Sequence, residues 1–80
     1  MMHVVNAPVQ TTVEESIGYL TLNRPEAMNA VTTRLAQSLE RELRALAREA
    51  KVIVLRGAGG NFCVGGDFKE LEHRRAAGMA

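Results

Sequence analysis

Residues 52–66 read VIVLRGAGGNFCVGG, an apolar run followed by a segment rich in glycine. The apolar run is continuous, which is typical of a strand covered on both faces in a parallel sheet, and we predict a strand over residues 52–56. Five of the seven glycines lie in residues 57–66. Open α/β sheets bind their ligands in such a loop, at the carboxyl end of a parallel strand. The stretch therefore predicts a parallel sheet with a candidate binding loop over residues 57–66.

A helix is predicted on each side of this stretch. Upstream, apolar residues recur at positions 31, 35, 39, 43, 46 and 50, which is the stripe of an amphipathic helix over residues 33–49. Either Thr32 or Thr33 is suited to be its N-cap. Downstream, the pattern of residues 67–77 predicts a second helix directly after the glycine-rich loop.

The chain opens with a predicted β-hairpin over residues 9–23. Its first strand is rich in β-branched residues, its second alternates, and residues 14–16 form the turn between them. Pro25 ends the second strand, since proline lacks an amide donor. The second strand, the helix and the buried strand then form a βαβ crossover, which is almost always right-handed. The predicted fold class is α/β.

Length and composition limit the molecule to one small domain. The 80 residues are 46% hydrophobic and 24% charged. The formal net charge of +1 gives no basis for binding nucleic acid or an anionic membrane surface. No apolar run approaches the roughly 18 residues of a membrane-spanning helix, and the first residues lack the order of a secretory signal. We therefore expect a cytoplasmic protein with no membrane partner.

Stability must come from packing, because the single cysteine, Cys63, excludes an internal disulfide. A chain this short buries only about 60–65% of its unfolded surface. We expect the strand at residues 52–55 and the apolar side of the helix at 33–49 to need a cover. Copies of the chain in a homo-oligomer, or a complementary chain, would supply it.

Three chemistries use a glycine-rich loop of this kind. A phosphate-binding P-loop is excluded, because Gly65 is followed by Gly66 and Asp67 where lysine and serine or threonine are required. A dinucleotide fingerprint is a poor match, because Phe62 occupies the place of its third glycine. The third is donation by the amides of Gly65 and Gly66, at the start of a helix, to an anionic oxygen such as the oxyanion that develops on a thioester. A connection that binds no ligand is the ordinary alternative.

Three blocks together resemble the enoyl-CoA hydratase/isomerase (crotonase) family, in that family's order. They are LNRPEAMNAV at residues 22–31, VIVLRG at 52–57 and NFCVGGDFKE at 61–70. The similarity runs from the hairpin to the helix after the loop. It implies the amino-terminal part of a crotonase-like spiral of ββα turns, which binds acyl-CoA thioesters and stabilises an enolate with two backbone amides. It implies no cofactor beyond the CoA carried by the substrate.

The resemblance also implies roles for particular residues. The first oxyanion amide, the predicted catalytic group, belongs to the residue before the aspartate, which is Gly66. Glu26 stands where some members carry a basic residue, so no phosphate contact is assigned to it. Cys63 has no base beside it in the sequence and is interpreted as a small hydrophobic residue. The predicted substrate contacts are Arg24, Ala27, Val64, Gly66, Asp67, Phe68 and Lys69.

Family members are several times longer than this chain, and the resemblance places the second oxyanion amide and the acid/base carboxylates beyond it. Two hypotheses follow. In the first, the chain is an acyl-CoA-binding fragment of such an enzyme, inactive alone and carrying half of an oxyanion hole. In the second, it is a non-catalytic remnant that oligomerises or binds a partner.

Overall fold

The computed structural model describes residues 7–76, and the side chains of residues 7–73. Within this range the chain forms three strands, two α-helices and one 3₁₀ turn, so the α/β prediction is confirmed. In chain order the elements are β1 (Val9–Glu14), β2 (Ile17–Leu22), the 3₁₀ turn (Pro25–Ala27), α1 (Thr33–Ala47), β3 (Val52–Gly57) and α2 (Phe68–Ala76).

The strands form one mixed sheet in the order β1-β2-β3. β1 and β2 are antiparallel, and β2 and β3 are parallel, with Leu22 opposite Gly57 at the carboxyl end. The hairpin loop has two residues, Glu15 and Ser16, with φ of 49° and 68°. Two positive φ angles are typical of a type I′ turn, whose twist matches that of the strands. Alternate residues of β2 are buried, as the sequence pattern predicts.

The core lies between α1 and the β1–β2 half of the sheet. Leu35 and Leu46 of α1 are buried against Leu20 and Leu22 of β2, and Leu39 and Leu43 pack at the margin. The helix crosses over β1 and β2, which cover the middle of its apolar stripe. Leu39 and Leu43 are only partly buried, so the expectation that this side of the helix needs a further cover stays a prediction.

β3 is much more exposed than its sequence predicts. Val52, Val54 and Leu55 are 57%, 38% and 48% exposed, so the expectation of a strand covered on both faces is wrong for the described part of the chain. The reason is geometric. The helix lies over β1 and β2, and no element within residues 7–76 packs across β3 to a comparable extent.

The ends of the helices differ slightly from the prediction. Thr32 is the N-cap of α1, and its hydroxyl accepts from the Leu35 N–H. α1 stops at Ala47 instead of residue 49, because a tightened turn binds the Arg48 N–H to the Ala45 carbonyl. α2 begins one residue later than predicted, and residue 77 lies outside the described range. Neither described helix is long and apolar enough to cross a membrane.

Candidate functional site

Residues 24–31, which we call the turn segment, connect β2 to α1. Pro25 opens the 3₁₀ turn, where its missing N–H and fixed φ are tolerated. Met28 and Asn29 then adopt the left-handed conformation, with φ of 52° and 56°. The Asn29 N–H donates to the Arg24 carbonyl at 2.8 Å. These two residues reverse the chain and bring it back toward the end of β3.

Residues 57–67, which we call the glycine loop, follow β3 in a conformation that demands glycine at three positions. A Cβ on Gly57 would lie 2.5 Å from the carbonyl oxygens of Asn61 and Phe62. Gly59 and Gly65 have φ of 79° and 103°, which side-chain-bearing residues rarely adopt. These three glycines are therefore required by the conformation of the loop, and Gly57 in particular lets residues 61 and 62 pack against the end of β3.

A short parallel bridge joins the two segments at Val31 and Gly66. The Val31 N–H donates to the Gly65 carbonyl at 2.7 Å, and the Asp67 N–H donates to the Val31 carbonyl at 2.8 Å. The Gly65 carbonyl and the Gly66 N–H belong to one trans peptide and point in opposite directions. The Gly66 N–H is therefore directed away from Val31. Gly66 is exposed, and no described residue accepts from its N–H.

Asp67 connects the loop to both neighbouring elements. Its Oδ1 accepts from the Glu70 N–H at 3.1 Å, capping α2, and its Oδ2 lies 3.3 Å from Arg24 Nη1. The bond from Glu70 and, next, the Arg24 guanidinium hold the pKa of Asp67 below its usual value, against the opposing effect of partial burial. Arg24 Nη1 also donates to the Ala30 carbonyl at 2.5 Å. Ionised Asp67 thus ties the turn segment to the start of α2.

Asn29 is a fully buried polar residue at the centre of these contacts. Its Oδ1 accepts from the Arg24 N–H at 2.7 Å, and its Nδ2 donates to the carbonyls of Ala58 and Asn61 at 3.0 and 2.8 Å. The sequence analysis assigned no role to it. The available signal was an asparagine just after a proline-initiated turn, a position where asparagine favours left-handed backbone.

Glu70 is a second residue that the sequence analysis did not assign to the site. Its carboxylate accepts from the Thr33 N–H at 2.8 Å and from the Thr33 hydroxyl. The carboxylate therefore lies at the amino-terminal end of α1, where the helix dipole stabilises negative charge. No pattern within α2 indicates this contact, because it depends on how the two helices meet.

An open cavity of about 600 Å³ lies between the turn segment and the start of α2. Its lining combines basic, acidic and apolar groups, including the half-exposed Met28 and the acidic Glu26. The structure brings all seven residues predicted from the resemblance into this lining: Arg24, Ala27, Val64, Gly66, Asp67, Phe68 and Lys69. The cavity can therefore offer an oxygen atom one backbone donor beside apolar and cationic side chains.

Cys63 lies beside this arrangement, and the described residues give it no metal site. The Cys63 thiol is partly buried against the core, and its Sγ lies 3.4 Å from the Gly65 N–H. Among the described residues, no group of three His, Cys, Asp or Glu side chains is placed to hold a metal ion.

Comparison with known proteins relates this arrangement to a family. Residues 12–80 match the family model described as enoyl-CoA hydratase/isomerase. The rat mitochondrial 3-hydroxyisobutyryl-CoA hydrolase is 34% identical over 96% of the chain, and a probable enoyl-CoA hydratase of Rhodobacter capsulatus is 37% identical over 75%. The alignments span only 21% and 23% of those two relatives.

Solved structures show the same fold. The Pseudomonas aeruginosa protein PA4980 superposes with a TM-score of 0.84 and 36% identity, over 98% of this chain and 34% of its own. The prediction of an amino-terminal portion of the crotonase fold is thereby confirmed. On the family-model match and these identities, the chain belongs to the enoyl-CoA hydratase/isomerase family.

Proposed function

We propose that this chain binds acyl-CoA thioesters and donates the Gly66 N–H to the thioester oxygen. The observation that carries the proposal is the direction of that N–H, which the bridge turns away from Val31 at an exposed position. Two further points support it. The cavity beside Gly66 is lined by the predicted contact residues, and both curated relatives are named for reactions of CoA thioesters.

The chemistry of the donor is enolate stabilisation. When a proton leaves the carbon next to a thioester carbonyl, negative charge develops on the carbonyl oxygen, and a fixed N–H bonds that oxygen more strongly than in the ground state. Removing one such donor in a comparable site costs on the order of 3–4 kcal/mol of transition-state stabilisation. The backbone position makes proline the one substitution that removes this donor.

The neighbouring side chains would hold the rest of the ligand. Phe68 and Val64, 81% and 53% exposed, offer apolar surface to the acyl or pantetheine portion, and Lys69 offers a cation to a phosphate of CoA. Arg24 contributes mainly by holding Asp67 and Ala30. The CoA arrives as part of the substrate, and we propose no separate cofactor.

Proton transfer is not assigned to the described residues. Asp67, the carboxylate next to Gly66, is already engaged by Arg24 and by the Glu70 N–H. A general acid or base must reach the proton that it transfers. We propose that a second oxyanion donor and the acid/base carboxylates come from outside residues 7–76. The chain alone would then bind substrate without turning it over.

A matched pair of substitutions at Gly66 tests the proposal. Gly66→Ala keeps the N–H and adds a Cβ that meets only the flexible end of Leu71, at 3.2 Å. Gly66→Pro adds a similar Cβ and removes the N–H. Calorimetric titration with hexanoyl-CoA should give similar affinities for wild type and Gly66→Ala, and an affinity roughly fivefold lower for Gly66→Pro, the value of about one net hydrogen bond.

CoA thiol is the control ligand for this pair, since it lacks the acyl carbonyl. Its affinity should be the same for both variants. Equal affinities of the two variants for hexanoyl-CoA, or a wild-type chain that does not bind it, would contradict the proposal. Hydration of crotonyl-CoA by the purified chain would contradict the proposal that the chain is incomplete as an enzyme.

A second candidate function is a non-catalytic module that assembles with copies of itself. The exposed apolar residues of β3 favour it, because Val52, Val54 and Leu55 all lie on the strand at the edge of the described sheet. Sedimentation of the wild-type chain and of Val54→Lys distinguishes the candidates. A module of this kind predicts oligomers that Val54→Lys dissociates, whereas a monomeric wild type excludes it.

A further inference from the structure

The contacts of Asn29 divide between the two segments that build the site. Its carboxamide oxygen accepts from the Arg24 N–H in the turn segment, and its two N–H donors reach Ala58 and Asn61 in the glycine loop. Both polar atoms of the carboxamide have hydrogen-bond partners, and the residue is 0% exposed. A buried polar network that is fully satisfied favours one arrangement of the chains that it joins.

Asparagine fits this position for two separate reasons. The backbone φ of 56° lies in the left-handed region, where asparagine is enriched among residues with a side chain. The side chain also presents two donors and an acceptor on one short planar group. Aspartate has the same shape but no donor when ionised, and it would place its charge against two carbonyl oxygens.

Asn29 and Val31 hold opposite halves of the glycine loop. Asn29 binds the first half through Ala58 and Asn61, and Val31 binds the second half through Gly65 and Asp67. The residue between them, Ala30, is buried, and its carbonyl accepts from Arg24. The two attachment points are therefore held at a fixed distance within one short, packed segment.

We infer that Asn29 is a positioning residue, which fixes the glycine loop against the turn segment and so directs the Gly66 N–H toward the acyl carbonyl. The inference rests on the proposed role of Gly66. Asn29 itself does not reach the ligand, because it is buried and acts through the carbonyls of Ala58 and Asn61.

Hydrogen exchange in the free chain tests this inference without any ligand. Asn29→Asp removes both donors and is compared with Asn61→Asp, which makes the same change at an exposed side chain of the same loop and keeps the Asn61 carbonyl. The amides of Val31 and Asp67 report on the bridge. In Asn29→Asp they should exchange about tenfold faster than in wild type, and in Asn61→Asp within about twofold of wild type. Unchanged exchange in Asn29→Asp would overturn the inference.

Hydrogen exchange in the wild-type chain tests the inference even if Asn29→Asp does not fold. If the network opens as one unit, the Asn29 side-chain N–H protons and the Val31 and Asp67 amides should share one opening equilibrium. Protection factors corrected for intrinsic rates should then agree within about threefold among these groups. Independent opening of the side chain and the bridge would overturn the inference.

A spectroscopic readout separates this inference from the proposed function. Hexanoyl-CoA labelled with ¹³C at the thioester carbonyl should show a downfield carbonyl shift on the wild-type chain, and a smaller shift on folded Asn29→Asp at saturation. A loss of stability alone would not change the shift of the bound carbonyl. No shift on wild type overturns the proposed function, and the exchange data still decide whether Asn29 holds the loop. A full shift on Asn29→Asp overturns the inference.

Discussion

Gly66 owes its candidate role to two hydrogen bonds made by another residue. Val31 binds the carbonyl before Gly66 and the N–H after it, so planar trans peptides leave the Gly66 N–H and carbonyl directed to the other side. The resemblance could assign Gly66 from its place before Asp67. It assigned no role to Val31 or Asn29, because their bonds to the glycine loop join positions more than 25 residues apart and leave no spacing to read.

Asp67 should make the free energy of unfolding of the chain depend on pH in the acid range. Its folded-state pKa lies below the usual value of 3.8, so the contribution of the carboxylate to stability is present above that value and is lost as pH falls through the folded-state pKa. Asp67→Asn keeps an oxygen to cap α2 but lacks the charge that faces Arg24. Urea unfolding should show wild type more stable than Asp67→Asn at about pH 7, with the difference shrinking at about pH 3. A difference that stays constant would contradict this role.

At the scale of elements, the hairpin turn carries avoidable strain. Ser16 has a φ of 68°, and its contacts to the start of β3 use only its carbonyl, which accepts from the Lys51 N–H at 2.7 Å. Glycine adopts this φ without a steric penalty. Ser16→Gly should raise the free energy of unfolding by about 0.5 kcal/mol, after the entropy gained by the unfolded chain is subtracted.

Ser38→Gly is the matched control for the hairpin substitution. It makes the same change within α1, where glycine lowers helix stability by roughly 0.5 kcal/mol relative to serine and the buried Ser38 hydroxyl also loses its bond from Arg41, so this variant should be destabilised by at least that amount. Urea unfolding measures both variants. A Ser16→Gly variant destabilised as much as Ser38→Gly would contradict the assignment of strain to the turn.

Most elements could be predicted because local patterns determine them. The apolar stripe predicted α1, and the Thr32 cap fixed its start. The end of α1 was less predictable, since the last turn tightens through the bond from the Arg48 N–H to the Ala45 carbonyl, and no residue pattern marks that change. The continuous apolar run predicted the strand β3. It did not predict the exposure of that strand within the described residues, because a sequence pattern shows which environment a strand is suited to and not whether this chain supplies it.

At the scale of the whole molecule, the chain reproduces one portion of its relatives' fold, and one strand of its sheet lies exposed. The chain covers 34% of the solved relative PA4980 and about a fifth of the curated relatives, while it reproduces the fold of its own portion. The sheet has a well-covered β1–β2 half and an uncovered β3. In the proposed function, the Gly66 N–H is one enolate donor, and no acid or base among the described residues is assigned to act beside it.

The backbone amide of Gly66 provides the most direct measurement of the central claim, that this amide binds a thioester oxygen. The ¹⁵N-labelled chain is titrated with hexanoyl-CoA and, separately, with CoA thiol, and the Gly66 N–H resonance is followed in each titration. The account predicts a downfield proton shift with hexanoyl-CoA and little change with CoA thiol, because only the thioester carries the carbonyl acceptor. An equal shift with both ligands, or no shift with hexanoyl-CoA at saturation, would contradict it.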